Sequence, residues 1–161
     1  MGEPTGEIRG VMIPVTGGRL LLPNASIAEV ITYSPPETIA DTPDWLLGRL
    51  HWRGWRLPLL SFSMLSGLTT FEAYNNARVV VLKALGGNPQ RPFLGLLAQG
   101  FPRLTTITRD VLVENDDAAE LPGVKAAISV RDDSALIPDL LAIEGMVSEA
   151  LPSVPAPARQ A

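Results

Sequence analysis

RLHWRGWRLPLL, residues 49–60, holds two of the chain's three tryptophans, its single histidine and three arginines. Apolar and polar side chains alternate up to Trp52, break at Arg53-Gly54, and resume from Trp55. That is the pattern of a β-hairpin whose two-residue turn takes a glycine where positive φ is required. The alternation predicts Leu50 and Trp52 on one face with Arg49 and His51 on the other, then Trp55, Leu57 and Leu59 against Arg56 and Leu60. One face is therefore core, with Trp52 expected among the buried mass. Arg53 sits on the turn, where packing does not dictate a side chain, and its guanidinium is free to meet a partner.

The strand rhythm extends outward from this hairpin. Fourteen glycines and 15 prolines cut the chain into short apolar runs, which argues for an all-β domain. Ile8 to Val15 and Arg19 to Pro23 flank Thr16-Gly17-Gly18, a second tight turn. Ala28 to Tyr33 is a β-branched run ending at Pro35-Pro36. Leu46 to Trp52 and Trp55 to Ser61 are the arms of the opening hairpin. A later set comprises Arg78 to Leu85, the turn Gly86 to Pro89, Phe93 to Ala98, Leu104 to Thr108, Val124 to Val130, the turn Arg131 to Ser134, and Ala135 to Ile137. About ten short strands exceed what one small open sheet holds comfortably, so two small closed sheets are expected. Residues Pro138 to Val147 break the pattern. Proline suits a first helical turn, and Ile137, Leu140, Leu141, Met146 and Val147 form one apolar stripe, so a closing helix is expected. Leu151 to Ala161, rich in proline and alanine, reads as a disordered tail, and residues 1–7 read as a flexible start.

At 161 residues the chain suits one compact domain. Mean hydropathy is +0.19, with no apolar run approaching the ~18 residues of a spanning helix, so no membrane insertion is expected. The start, MGEPTGEIRG, lacks a signal-peptide core, which points to the cytoplasm. The absence of cysteine excludes disulfides, thiolate nucleophiles and cysteine metal sites. A net charge of −4 argues against general binding to phosphate backbones.

Chemistry finds little support. His51 is the only possible imidazole base, it lies mid-strand, and no G-x-S-x-G elbow accompanies it. Zinc needs several His or Cys ligands, which the chain does not supply. Asp116-Asp117 and Asp132-Asp133 read as turn residues without the spacing of a calcium loop. Gly17-Gly18 and Gly86-Gly87 open no helix and match no phosphate-binding loop. We expect no catalytic residue, cofactor or metal. A rival reading makes Trp52, Trp55, Arg53 and Arg56 the stacking and charge platform of a nucleic-acid-binding small β-barrel.

Several phrases in a fixed order resemble a known family. LLPNASIAEVITY, TPDWLLGRLHWRGWRLPLLSF, ARVVVL, RPFLGLLAQGF and LPGVKAAISVRDDSALIPDLLAI together resemble the CheW-like domain of bacterial chemosensory coupling proteins. The most specific pieces are Gly48 followed by the R-G-x-x-x-P run of Arg53, Gly54 and Pro58, with Glu29 upstream and Leu94-Gly95-Leu96 in the second half. The resemblance covers roughly residues 8–147. It implies two intertwined five-stranded SH3-like β-barrels with a C-terminal helix, spanning 8–150 as subdomains of approximately 8–75 and 76–150 with some strand exchange. It also implies a non-enzymatic adaptor that couples a methyl-accepting chemoreceptor to a CheA-like histidine kinase, recruited from the cytoplasm to receptor arrays at the inner membrane. By residue match, the partner-binding groove would hold Arg53 and Gly54, with Gly48, Ile27 and Glu29 nearby. Two positions depart from the family's pattern. Ser61 replaces the aspartate of P-V/I-V/I-D-L, and Gln99 replaces that of V-D-x-V. The departures point toward ChpC-type couplers of systems controlling type IV pili and twitching motility.

Overall fold

The computed structural model describes residues 8–87, 89, 91–108, 112–115, 121–130 and 133–151. The flexible start expected at 1–7, the Asp116-Asp117 pair, Asp132 and residues 152–161 of the expected tail lie outside the described residues.

Eleven strands, two α-helices and one 3-10 turn (Asn24–Ser26) are present among the described residues: β1 (Ile8–Val15), β2 (Gly18–Pro23), β3 (Ile27–Thr32), β4 (Leu46–Trp52), β5 (Trp55–Leu60), α1 (Phe62–Ser66), β6 (Arg78–Lys83), β7 (Phe93–Ala98), β8 (Arg103–Ile107), β9 (Leu112–Asn115), β10 (Val124–Val130), β11 (Asp133–Pro138) and α2 (Leu140–Ala150). The expected architecture stands: mostly β, two sheets, one C-terminal helix. The sheets contain six and five strands, in the orders β8-β1-β2-β11-β10-β9 and β3-β6-β7-β5-β4. The extra strand is β9, which pairs antiparallel with β10. Each sheet interleaves sequence segments, since β1 and β2 join the later strands β8–β11 while β6 and β7 join β3–β5.

The central strands read as continuous apolar runs because each sheet is covered on both faces. The main core lies between the sheets, where Val11, Ile13, Leu20 and Leu22 meet Leu60, Val80, Leu82 and Leu96, with Ile143 and Val147 of α2 packed in. A smaller core of Met12, Leu21, Ile107, Ile128 and Ala135 lies on the opposite face of the six-stranded sheet. Leu50, Leu57, Leu59, Val79 and Val81 do the same for the five-stranded sheet. Ile31 from one edge strand, β3, and Leu47 from the other, β4, both pack on that last cluster, so the sheet curls over its own small core. The expected closure is not made by backbone pairing. Among the described residues β3 and β4 each have a strand neighbour on one side only, as do β8 and β9.

Three local features differ from expectation. Pro138 ends β11, paired with Val124, instead of opening the helix. Asp139 caps α2, its Oδ1 accepting from the Ala142 N–H at 3.1 Å. Leu151, assigned to the loose tail, is buried and packs in the main core. A short helix, α1, follows β5: Ser61 Oγ accepts from the Met64 N–H at 3.0 Å, and Gly67 ends it at φ +88°.

Candidate functional site

The opening hairpin forms as read, with Trp52 opposite Trp55 and a two-residue turn. Arg53 and Gly54 take φ of +49° and +83°, the doubly positive pair that matches the twist of the strands. A left-handed arginine costs about 1–3 kcal/mol and persists only where its surroundings hold it. Here they do. Arg53 Nη2 lies 3.0 Å from Glu29 Oε1, and its guanidinium sits 5.2 Å from the Trp52 ring centroid. The Trp52 indole N–H donates to the same Glu29 Oε1 at 2.9 Å.

Glu29 lies on β3 and Trp52 on β4, the two outer strands of the five-stranded sheet. Side chains thus join the edges that no backbone ladder joins, and Arg53 stands at this seam. A hydrogen bond to a charged group contributes about 1.5–3 kcal/mol, so the Trp52–Glu29 bond is the stronger tie. The Arg53–Glu29 pair is water-exposed, at 69% and 37% of the side chains, and adds about 0–1 kcal/mol. Its value is geometric, because it holds an exposed guanidinium in one place. Phe93 completes the floor, edge-on to Trp52 at 4.8 Å and to Trp55 at 6.0 Å.

Beside the seam, the backbone of Glu37 bridges the free side of β4. The Glu37 N–H donates to the Arg49 carbonyl and the Arg49 N–H to the Glu37 carbonyl, both at 2.8 Å. Gly48, at φ +146°, allows this approach, since a Cβ there would overlap the Glu37 carbonyl and lie 3.0 Å from Pro36 Cβ. The Glu37 carboxylate also receives Arg56 Nη2 at 2.7 Å, and His51 Nε2 lies 3.8 Å away. The hydrogen bond and charge of Arg56, then the His51 ring, hold the Glu37 carboxyl below the usual carboxylate range.

Of the five residues expected at the partner groove, Arg53, Gly54 and Glu29 come together. Ile27 shares β3 with Glu29 but packs against the main core. Gly48 is buried beneath the Glu37 bridge. Trp52, expected as core mass, is only half-buried, and its polar edge is part of the site. The family resemblance placed Glu29 near Arg53, but nothing in the linear pattern connected Trp52 to Glu29 or revealed which outer strands meet. The rival stacking platform fits poorly. The guanidinium of Arg53 lies over the Trp52 ring, and Arg53 and Arg56 are each engaged by a carboxylate. Among the described residues, no group of three or more His, Cys, Asp or Glu could hold a metal ion, and no helix is long and apolar enough to cross a membrane.

Residues 9–146, which include both sheets and the seam, match the CheW-like domain. The chain belongs to the CheW-like domain family. This CheW-like domain superposes on the scaffolding protein TtCheW from Thermoanaerobacter tengcongensis with a TM-score of 0.69, over 83% of this chain and 89% of that one. Identity is 16%, so the likeness is one of fold. No curated protein matches the sequence. The CheW-like match accounts for the interleaved sheets, while the Glu29–Trp52–Arg53 arrangement is read from this chain's own side chains.

Proposed function

We propose that this CheW-like domain is a non-enzymatic adaptor that couples a chemoreceptor to a CheA-like histidine kinase, with Arg53 and Gly54 at the partner-binding surface and Glu29 positioning the guanidinium. The observation that carries the reading is Arg53 itself. It is an exposed cation in a strained turn, held by Glu29 and Trp52 from the opposite edges of the sheet. A side chain already held in one geometry loses less conformational entropy on docking than a free arginine does. Family membership supports the adaptor role, as does the description of TtCheW as a scaffolding protein. The replacements Ser61 and Gln99 motivate assignment to a pathway controlling type IV pili and twitching motility. The protein would act in the cytoplasm, at receptor arrays on the inner membrane.

The test is Arg53→Glu. Placing a carboxylate beside Glu29 reverses the charge at the seam, while the turn side chain contributes little packing. Capture of the receptor and kinase from cell extract is expected to fall about tenfold or more, a loss of the size found for truncated interface charges, with an unchanged circular dichroism spectrum. Undiminished capture with an intact fold sinks the assignment of this surface.

A further inference from the structure

Glu72 is 9% exposed and lies in the segment between α1 and β6. Its Oε1 accepts from Thr16 Oγ1 at 2.6 Å and from Gln99 Nε2 at 3.0 Å, while Ser61 Oγ donates to Oε2. The three donors come from three places: the β1–β2 turn, the end of β5 and the end of β7. They therefore span both sheets. Each donor is neutral, and each of two is tied down elsewhere as well. Gln99 Nε2 also donates to the Ala73 carbonyl at 2.9 Å and its backbone N–H to the Pro14 carbonyl at 2.8 Å, while Ser61 caps α1. Ser61 and Gln99 are also the two positions at which the chain lacks the family's aspartate. Both meet at this one carboxyl.

The two segments so joined carry three of the four exposed aromatic side chains, the fourth being Trp55 on β5. Phe71 is 73% exposed and flanks Glu72 in sequence, Tyr74 stacks on Tyr33 at 4.7 Å, and Phe101, 67% exposed, lies 4.2 Å from the Arg78 guanidinium. Residues 67–77 contain no strand or helix, and their few backbone bonds lie at the two ends: Gly67 donates to Met64, Leu68 and Thr69 to the Ser63 carbonyl, Ala77 to Tyr74, and the Ala77 carbonyl accepts from Tyr33. Without a further tie, a segment of this kind opens at low free energy.

We infer that Glu72 is a positioning residue: by accepting from Thr16, Ser61 and Gln99 it orders residues 67–77 and the turn after β7 as one unit, and so fixes Phe71, Tyr74 and Phe101 as an exposed aromatic rim. The donors are matched to the acid. A neutral amide at 99 and a carboxylate at 72 satisfy one another, and exchanging the two groups remakes that pair, though not the bond from position 99 to the Ala73 carbonyl. In the exchanged arrangement an amide at position 72 donates toward a carboxylate at position 99 and toward the Thr16 hydroxyl, and the amide oxygen still accepts from Ser61. The inference does not depend on which partner the protein binds.

The experiment is amide hydrogen exchange on the full chain carrying Gln99→Glu, Glu72→Gln or both. Gln99→Glu is nearly isosteric but sets an acceptor against Glu72 Oε1 and the Ala73 carbonyl, so exchange at Leu68, Thr69 and Ala77 is expected to rise about tenfold or more. Amides of β6 and β7 should keep their protection. The double variant should slow exchange by about threefold or more relative to Gln99→Glu, a partial recovery, because the 72–99 pair is remade while the carboxylate at 99 still faces the Ala73 carbonyl. Thr16→Val removes one donor without adding charge, and a smaller rise confined to the same amides is expected, which keeps the test open if Gln99→Glu unfolds the protein. Unchanged exchange in Thr16→Val, or a folded Gln99→Glu whose exchange is unchanged or is not improved by Glu72→Gln, overturns the inference.

Discussion

Replacing Gly48 by alanine asks whether this buried glycine serves packing or partner contact. Its added Cβ would overlap the Glu37 carbonyl, so either the backbone of 36–37 lifts off β4 or Gly48 abandons its φ of +146°. Lifting the bridge removes two backbone hydrogen bonds of 2.8 Å, each contributing about 0.5–1.5 kcal/mol. Holding alanine in a conformation that favours glycine adds about 1–3 kcal/mol. The expected destabilisation is thus about 2–6 kcal/mol, a large share of the roughly 5–15 kcal/mol that keeps a domain folded. Urea unfolding followed by tryptophan fluorescence measures it, with Glu37→Ala as the control. That variant keeps the backbone bridge and removes only an exposed carboxylate, so its unfolding midpoint should stay close to that of wild type. A Gly48→Ala protein as stable as wild type would refute the packing argument. If it then bound partners poorly, Gly48 would be a direct contact instead.

The Glu37 carboxyl, held down by Arg56, should titrate below the usual carboxylate range in a carbon-detected NMR titration, and Arg56→Ala should bring it back up. Because the folded-state value is depressed, its small stabilising effect is present above the unfolded pKa and disappears as pH falls through the folded one; a midpoint indifferent to Arg56→Ala would contradict this. Trp52→Phe keeps a ring against Phe93 but deletes the N–H that reaches Glu29, so a loss of about 1.5–3 kcal/mol in denaturant unfolding is expected, with weaker partner capture. Glu144 on α2 accepts from the Leu85 and Gly86 N–H groups at 2.6 and 2.8 Å. Glu144→Ala should therefore speed exchange of those two amides by about tenfold, and an unchanged rate there would show that the β6–β7 turn holds itself.

Several elements were legible because their causes are local. The Arg53-Gly54 turn, the Thr16-Gly17 turn and the apolar runs at Arg78–Lys83 and Phe93–Ala98 follow from φ requirements and from burial on both faces. Helix α1 was also signalled, by Ser61 and Gly67 at capping distance, but only five helical residues lie between them and no apolar period develops. Pro138 misled for an instructive reason. Its missing N–H suits a helix start, yet it equally suits the last residue of a strand, and pairing with Val124 decides between the two.

What the sequence determined by itself was the all-β class, the hairpin that displays Arg53, and membership in an interleaved two-sheet family, since strand period, turn chemistry and motif order are properties of neighbouring residues. The tertiary structure alone decided that the Trp52 indole meets Glu29 across the seam, that Gly48 lies under the Glu37 bridge, and that Ser61 and Gln99 converge on Glu72. The physical reason is common to all three. Each depends on which strand edges the curl of a sheet and its two cores bring within hydrogen-bonding distance, and that distance bears no relation to separation along the chain.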